Sequence, residues 1–147
     1  MSSFYKLSIQ KITKETEDAV SILFNVPAEL KESFSFMAGQ YVTLKASING
    51  NEVRRAYSIC ASPNSNQLKV AIKAVKNGLF STYATTELKD GDTLEVSVPE
   101  GKFILNPEAK KNYIAFAAGS GITPIISNVK TILEAEPNSF VTLLLGN

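Results

Sequence analysis

Three side chains that can bind a flat, anionic ligand lie within four residues of one another, in the stretch RRAYSIC. They are Arg55, Tyr57 and Ser58. A planar guanidinium suits two-point contact with a phosphate, and a tyrosine ring can stack on a flat heterocycle. In a strand, alternation places Arg55 and Tyr57 on one face, with Ser58 on the other face or in the following turn. An exposed arginine, a half-buried tyrosine and a turn serine is the second interpretation, and these residues alone leave it open.

A second group of candidate residues lies in AIKAVKNGLFSTY, residues 71 to 83. Gly78 precedes a predicted helix whose first N–H groups lack partners, and a helix N-terminus after a glycine is a ready anion site. Ser81 and Thr82 add hydroxyl groups, and Lys73 in the preceding strand adds a positive charge. The alternative is that Ser81 is only a helix cap and Gly78 only a turn residue.

The third candidate is the stretch AAGSGITP, residues 117 to 124, between a predicted buried strand and a predicted helix. Gly119 and Gly121 make the turn, and Pro124 stands in the first helical turn, where its missing N–H costs nothing. The stretch departs from the dinucleotide fingerprint G-x-G-x-x-G because Pro124 occupies the third glycine position. A generic tight turn between strand and helix is the alternative.

The residues that are missing exclude several classes of chemistry. The chain of 147 residues has no histidine and one cysteine, Cys60. It therefore has no histidine base, no histidine-based triad and no imidazole metal ligand. One cysteine cannot hold an iron–sulfur cluster, which needs about four, and no pair of carboxylates indicates acid–base hydrolysis. If the protein carries out a reaction, we expect a bound cofactor to supply the reactive atoms.

Charge and hydropathy predict neither nucleic acid nor a membrane as a partner. The formal net charge is +1, with 44% hydrophobic and 20% charged residues, a composition typical of globular domains. This charge leaves no electrostatic footprint for nucleic acid or an acidic membrane surface. The N-terminal stretch lacks the apolar core of a signal peptide, and no run approaches the roughly 20 apolar residues of a membrane span. We expect a cytoplasmic protein.

Residues 5 to 101 are typical of short antiparallel strands interrupted by one helix. Asn49-Gly50 predicts a tight hairpin, and LFSTYATTELKDGD predicts a helix from Leu79 to about Gly91. Because closure removes exposed strand edges, this pattern favours a small barrel. The predicted strands are YKLSIQKI, AVSILFNV, GQYVTLKASI, EVRRAYSIC, QLKVAIKAV and DTLEVSVP.

The pattern changes after the polar stretch NPEAKK, residues 106 to 111. YIAFAAG predicts a parallel strand buried on both faces, and SFVTLLLGN predicts a second buried strand. The helix between them, TPIISNVKTILEAE, carries one apolar stripe made of Ile125, Ile126, Val129, Ile132 and Leu133. Strand, helix and strand form one βαβ unit. We therefore predict a barrel domain over residues 1–106 and part of an α/β domain over residues 107–147.

Five segments, in this order along the chain, resemble the ferredoxin–NADP⁺ reductase superfamily: FMAGQYVTL, RRAYSI, AIKAVKNGLFSTY, VPEGKF and AAGSGITP. The resemblance covers nearly the whole chain. It implies a mainly β fold, a Greek-key antiparallel flavin-binding barrel with one helix, followed by the start of an α/β nucleotide-binding domain. It also implies FAD as the cofactor, ahead of FMN, and NAD(P)H as co-substrate. Hydride would pass from the nicotinamide to FAD, and single electrons would then pass to an iron–sulfur centre or an oxygenase partner protein.

The resemblance also assigns roles to the residues that match its motifs. Arg55 corresponds to the arginine on the FAD pyrophosphate, Tyr57 to the residue packing on the isoalloxazine or ribityl portion, and Ser58 to the hydroxyl near flavin N5. Ser58 and Thr123 are the predicted catalytic residues. The other predicted cofactor contacts are Ile72, Lys73, the phosphate loop with Gly78, Ser81 and Thr82, and the nicotinamide-facing loop with Gly119, Gly121, Ile122, Thr123 and Pro124. Gly39 and Gln40 match a strand opening with a structural role.

The nucleotide domain of the superfamily continues beyond the point that corresponds to Gly146-Asn147, so we expect a truncated chain that binds flavin but does not complete the reaction alone. A [2Fe–2S] domain would lie only in a part not present in this chain. The last strand would expose a pairing edge and apolar faces, which favours self-association. Two rival functions stay open: a non-catalytic flavin-binding barrel and a cofactor-free interaction module.

Overall fold

The computed structural model describes residues 3–104 and 112–146. Six antiparallel strands form one sheet in the order β4-β3-β6-β1-β2-β5, with β6 inserted between β1 and β3. This crossover is of the Greek-key kind. The strands are β1 Phe4–Thr16, β2 Ala19–Asn25, β3 Tyr41–Ile48, β4 Asn51–Ser58, β5 Leu68–Lys73 and β6 Thr93–Ser97.

The two outer strands of this sheet, β4 and β5, meet only where β4 ends. Ile59 forms an antiparallel bridge with Val70, and the amide of Cys60 donates to the carbonyl of Lys69 at 2.9 Å. The sheet therefore curls back on itself and leaves a seam between the remaining parts of β4 and β5. The first helix, α1 (Leu79–Thr86), packs against both strands beside this seam. The prediction of an antiparallel barrel with one helix is confirmed.

Alternating apolar side chains fill the barrel. In β5, Leu68, Val70 and Ile72 point inwards and are at most 3% exposed, which is the period of two expected of a half-buried strand. Phe80 joins α1 to this core with no exposed surface, and its ring contacts the rings of Tyr57 and Tyr83. The walls of the barrel are thus fixed by packing.

Some element bounds differ from the predicted ones. β1 runs on to Thr16, four residues beyond the predicted end. α1 ends at Thr86 instead of near Gly91. Gly91 has a φ of +88° in the turn before β6, where the Asp90 carboxylate accepts the amide of Ile12 at 2.7 Å. Three short 3₁₀ turns were not predicted: Ala28–Leu30, Pro63–Ser65 and Gly119–Gly121.

The second part of the chain is the predicted βαβ unit. β7 (Asn112–Ala118) and β8 (Phe140–Gly146) are parallel, and α2 (Ile122–Ala135) connects them. The predictions that both strands are buried are wrong, because Ile114, Phe116 and Phe140 are 68–73% exposed. α2 covers one face of a two-stranded sheet and leaves the other open. Leu133, predicted in the buried stripe of α2, is also 53% exposed.

The predicted domain boundary, between residues 106 and 107, lies outside the described residues. Within residues 3–104 and 112–146, no helix has the length and apolar character needed to cross a membrane. The same residues contain no group of three or more His, Cys, Asp or Glu side chains placed to hold a metal ion.

Candidate functional site

The RRAYSIC residues lie on β4, along the seam of the barrel. Arg55 is paired with Leu44 and Tyr57 with Val42 across the β3–β4 ladder. Leu44 and Val42 are fully buried, and directly paired residues share a face, so Arg55 and Tyr57 belong to the inner face of the sheet. Because β4 is an outer strand, these two side chains reach the seam: Arg55 is exposed, while Tyr57 and Ser58 are half-buried.

Arg55 is an arginine without a carboxylate partner among the described residues. Its Nη1 donates to the carbonyl of Arg54 at 2.7 Å, which leaves most of its N–H donors unused. Arg54, on the other face of β4, pairs with Glu52 at 2.7 Å and lies over the ring of Phe4. The two adjacent arginines thus differ in their partners, and Arg55 is the one available to bind an anion.

Tyr57 presents a neutral aromatic ring beside Arg55. Its ring centroid lies 5.9 Å from that of Phe80, with the planes tilted by 38°. Burial raises the pKa of the Tyr57 phenol above its usual value, and the Arg55 charge opposes part of this rise. The phenol therefore remains protonated at neutral pH. The hydroxyl of Ser58, one residue on, has no hydrogen-bond partner among the described side chains and backbone groups.

The N-terminus of α1 has no side-chain cap, since its N-cap residue is Gly78. A Cβ at Gly78 would lie 2.4 Å from both Ser81 Oγ and a methyl carbon of Val75, so only glycine fits there. Ser81 is buried, and its Oγ accepts the amide of Val75 at 3.1 Å. Ser81 thus braces the turn before the helix, while the exposed Thr82 is the hydroxyl that faces solvent. The uncapped N–H groups fit an anion.

The two cofactor contacts predicted on β5, Ile72 and Lys73, have less support from the structure than those on β4 and α1. The side chain of Ile72 is fully buried in the barrel core, so the predicted cofactor contact cannot come from that side chain. Lys73 is on the outside, with 73% of its side chain exposed, and its Nζ lies 3.9 Å from an Asp18 carboxylate oxygen. The Lys73 ammonium group thus already lies close to a carboxylate in the absence of a ligand.

A cavity of about 400 Å³ lies between α1 and the β3–β4 hairpin turn. Its lining includes the polar side chains of Asn49, Asn77 and Thr82, together with Gly78. Asn49 belongs to the turn before β4, whereas Ser58 ends that strand, so the cavity and Ser58 lie at opposite ends of β4. Arg55 lies between them along the strand.

The turn with Gly119 and Gly121 leads directly into α2, with Thr123 in its first turn. Gly119 has a φ of +56°, and a Cβ at either glycine would meet nothing within 4 Å. This turn therefore faces open space. α2 is held against the loop that follows β4, because Ser127 Oγ donates to the carbonyl of Ala61 at 2.8 Å. The fold thus attaches the helix behind this turn to the segment that carries Tyr57 and Ser58.

The structural role predicted for Gly39 and Gln40 has a geometric basis. Gly39 has a φ of +98°, and a Cβ there would lie 1.5 Å from the carbonyl oxygen of Phe103. The side chain of Gln40 donates to the carbonyl of Gly101 at 3.3 Å and accepts the amide of Met37 at 2.9 Å. The two residues fasten the start of β3 to the chain that leaves β6.

Sequence reasoning missed Ser62 and Glu134. The Ser62 hydroxyl donates a hydrogen bond to the Glu134 carboxylate, which joins the barrel to α2. A serine in an Ala-Ser-Pro turn and a glutamate near the end of a helix carry no signal of such a pair. Their separation of 72 residues places the contact beyond the reach of any local pattern.

The sequence model of the FAD-binding domain of oxidoreductases matches residues 6–104. The chain belongs to this family. It is similar to a component of 1,2-phenylacetyl-CoA epoxidase from Escherichia coli K12, with 48% identity over 100% of this chain and 42% of that protein. It is also similar to the ferredoxin reductase component of 3-ketosteroid-9-alpha-monooxygenase from Rhodococcus rhodochrous, with 38% identity over 96% of this chain and 40% of that protein.

Among solved structures, phthalate dioxygenase reductase superposes with a TM-score of 0.76 and 29% identity, over 99% of this chain and 44% of that one. The superfamily predicted from the five motifs is confirmed. Residues 53–60 and 70–84 also indicate similarity to the reductase component of phenylacetyl-CoA epoxidase in particular, and the Escherichia coli relative confirms it. The chain spans less than half the length of each of these three proteins.

The residues along the seam fit FAD, the cofactor of the family. An anionic diphosphate needs donors that are not already paired, and Arg55 and the first N–H groups of α1 meet this need. A flat ring system needs an aromatic face and open space, which Tyr57 and the turn at Gly119 and Gly121 offer. None of these groups is neutralised by a carboxylate among the described residues.

Proposed function

We propose that the chain is the flavin-binding part of an NAD(P)H-dependent electron-transfer oxidoreductase. The observation that carries the proposal is the arrangement along the seam. An arginine without a carboxylate partner and a half-buried neutral tyrosine lie on β4, and a helix with an uncapped N-terminus packs against this strand. Each could be incidental alone. Together they match the two chemical parts of FAD, a diphosphate and a flat ring.

Each residue of the seam has a role in this proposal. Arg55 and the N–H groups behind Gly78, with the hydroxyl of Thr82, bind the diphosphate. Tyr57 packs on the isoalloxazine or ribityl portion, and Ser58 donates a hydrogen bond near flavin N5. We further propose that the dinucleotide tail runs along β4 towards the cavity lined by Asn49 and Asn77.

The reaction itself needs little from the protein beyond orientation. When bound, FAD accepts a hydride and releases electrons one at a time. The protein's own groups hold the reacting partners in alignment, which is the main requirement of such a transfer, and no general base is needed. The turn at Gly119 and Gly121 has room for a nicotinamide to approach, and Thr123 lies at the head of α2 to bind it. Ser58 and Thr123 are the two residues proposed to act next to the reacting atoms.

The electron acceptor is proposed from the chemistry of the relatives. The Rhodococcus relative is a ferredoxin reductase component of a monooxygenase. Phthalate dioxygenase reductase is described as transferring electrons from pyridine nucleotides to [2Fe–2S]. We propose an iron–sulfur centre or an oxygenase component, outside the described residues, as the acceptor for this chain, and phenylacetic acid degradation as its pathway.

Reduction by nicotinamide nucleotides separates this proposal from its two rivals. The purified protein should bind FAD and turn yellow. In a version extended through a complete nucleotide-binding domain, excess NADH or NADPH without oxygen should bleach the flavin absorbance. A yellow protein that neither nucleotide bleaches, although dithionite does, is a non-catalytic flavin-binding barrel. A folded protein that takes up no FAD at saturating supply is an interaction module without a cofactor.

We also propose self-association through the open face of the βαβ unit. Ile114, Phe116, Phe140 and Leu144 lie on this face and are 48–73% exposed. A contiguous apolar patch of this kind marks an interaction site or a cause of aggregation. Sedimentation of the wild type and of Phe116→Ser at rising concentration tests this, since the variant should remain monomeric at concentrations where the wild type associates.

The domain boundary and compartment are the last parts of the proposal. We place the end of the barrel domain at residue 106 and the start of the nucleotide-binding domain at residue 107. The family match that ends at residue 104 supports this division. We place the protein in the cytoplasm, where nicotinamide nucleotides are available as electron donors. Cell fractionation with an antibody to the barrel tests the second point.

A further inference from the structure

One side of α2 lies along residues 60–64, the loop that follows β4. Ser127, Lys130 and Glu134 are spaced by three and four residues, so they share a face of the helix. Ser127 Oγ donates to the carbonyl of Ala61 at 2.8 Å. Lys130 Nζ donates to the carbonyl of Cys60 at 3.3 Å. The helix is thus joined to the backbone of this loop at two successive turns.

The third contact on this face joins two side chains. Both oxygens of the Glu134 carboxylate lie 2.9 Å from the hydroxyl of Ser62, which donates to them. Asn64 Nδ2 donates to the same carboxylate at 3.2 Å. Ser62 is only 2% exposed, so its hydroxyl depends on this acceptor. A hydrogen bond to a charged acceptor is short and directional, and this one fixes the orientation of α2 as well as its position.

The loop at this contact is continuous with the end of β4 that carries Ser58. Two backbone hydrogen bonds hold the connecting residues in place. The amide of Ile59 donates to the carbonyl of Gln40 at 3.0 Å, and the amide of Cys60 donates to the carbonyl of Lys69 at 2.9 Å. Ser62 is therefore attached to the barrel wall through a short and well-braced segment.

The helix at this contact begins at the glycine turn. α2 starts at Ile122, directly after Gly119–Gly121, and Glu134 lies about three helical turns further on. Because a helix of this length behaves as a rigid rod, a rotation at Glu134 would displace Thr123 and the turn. The contact of Glu134 thus contributes, together with those of Ser127 and Lys130, to the orientation of the turn at the other end of α2.

We propose that Ser62 and Glu134 are positioning residues that hold the glycine turn and Thr123 at a fixed approach to the Ser58 end of β4. This rests on the proposed function, in which the flavin ring lies by Ser58 and the nicotinamide enters from the glycine turn. Neither residue touches the reacting atoms. Their effect is transmitted through α2 and the loop, and it should appear in hydride transfer and leave FAD binding unchanged.

The test compares Ser62→Ala, Glu134→Ala and Glu134→Gln in the FAD-loaded protein with the wild type. Glu134→Gln keeps an oxygen acceptor for Ser62 and serves as the conservative variant. Glu29→Ala, an exposed carboxylate in the 3₁₀ turn at residues 28–30, is the matched control. Asn64→Ala removes one exposed donor and serves as the milder variant if Ser62→Ala does not fold.

The first readout is hydrogen exchange, which needs no reaction. We expect the hydrogen-bonded amides of α2, from residue 126 onwards, to exchange about tenfold faster in Ser62→Ala and Glu134→Ala, with β1 and β2 unchanged. The second readout is anaerobic flavin reduction by NADH or NADPH, measured on the chain extended through a complete nucleotide-binding domain. The saturating rate should fall by about tenfold to a hundredfold, as expected for a small misplacement of the reactants. FAD affinity and reduction by dithionite should not change, and Glu134→Gln should recover most of both effects.

Each of the other outcomes contradicts one part of the proposal. Unchanged exchange in both alanine variants overturns the positioning role. Faster exchange with an unchanged reduction rate also overturns it and leaves Ser62 and Glu134 as purely structural contacts. If the extended wild type binds FAD but neither nucleotide reduces it, the proposed reductase function fails, and the positioning role that depends on it fails as well.

Discussion

The barrel and the βαβ unit use hydrophobic residues in opposite ways. In the barrel, alternating side chains of six strands meet in one closed core, and residues such as Ile72 and Phe80 have no exposed surface. In the βαβ unit, two strands and one helix enclose only one face, and Phe116 and Phe140 are about 70% exposed. The barrel therefore encloses its own hydrophobic core. The βαβ unit has one uncovered sheet face, and its orientation depends on its hydrogen bonds to the barrel.

This difference bears on where binding precision can come from. Arg55 and Tyr57 lie on a wall whose neighbours, Leu44 and Val42, are locked by packing. Thr123 and the glycine turn lie on a unit that is held to the barrel through α2 and the loop at residues 60–64. A cofactor bound by the wall would be held firmly. A second ligand that approaches from the turn depends on the contact between the two parts.

The largest effect that separates the two parts is expected from removing an equivalent ring from each. Phe80→Ala should reduce the free energy of unfolding by about 3–5 kcal/mol, as for other fully buried phenylalanines, because Phe80 joins α1 to the core. At concentrations where the protein is monomeric, Phe116→Ala should change it by less than about 0.5 kcal/mol, as is usual at exposed positions. Urea denaturation followed by circular dichroism measures both. Similar losses in the two variants would mean that the open face of the βαβ unit is covered in solution.

A second pair of variants tests how the barrel is fastened to the chain that leaves it. Gly39→Ala and Gly50→Ala both place a Cβ at positive φ, which costs about 1–2 kcal/mol. At Gly50 nothing lies within 4 Å, whereas at Gly39 the Cβ would lie 1.5 Å from the carbonyl oxygen of Phe103. We expect Gly39→Ala to be clearly more destabilising in thermal unfolding. Equal shifts in Tm for the two variants would show that the segment around Phe103 moves freely away from the barrel.

The smallest expected effect concerns the pKa of the Tyr57 phenol at the seam. In a titration followed at 295 nm, the component lost in Tyr57→Phe should have a pKa above the usual value of about 10, because burial raises it. Arg55→Met should raise the Tyr57 pKa further, since the nearby positive charge lowers it. Above about pH 10 the unfolded chain releases this proton first, so the stability contribution of Tyr57 falls as pH rises. An unchanged Tyr57 pKa in Arg55→Met would separate the two side chains.

Much of this could be predicted from the sequence because its signals are local. Alternation in Leu68, Val70 and Ile72 identifies a strand, Asn49-Gly50 identifies the hairpin, and the apolar run before Gly119 identifies the start of the βαβ unit. The order of the motifs then identifies the family. The apolar run alone predicts a strand buried on both faces. Two strands and one helix can cover only one face, which is why Phe116 is exposed.

The roles of single side chains were harder to predict, because they depend on neighbours distant in sequence. Nothing near Ser81 indicates that its hydroxyl is used within the turn at Val75. The difference between Arg54 and Arg55 depends on Glu52 and Phe4, which β1 and the hairpin bring to one face only. The hydrogen bond between Ser62 and Glu134 joins two residues that are 72 positions apart in the sequence. Such contacts are set by tertiary structure and leave no periodic trace.

The central claim is that the barrel wall binds a dinucleotide by its ring and its diphosphate together. Its most direct test is a titration of wild type, Arg55→Ala and Arg54→Ala with FAD and with riboflavin, which has the ring but no phosphate. We predict that Arg55→Ala weakens FAD binding by about 1.5–3 kcal/mol, the range of charged hydrogen bonds. Riboflavin binding should be nearly unchanged in the same variant, and Arg54→Ala should affect neither ligand. Equal weakening of FAD and riboflavin by Arg55→Ala, or a folded wild-type protein that binds neither, would contradict the account.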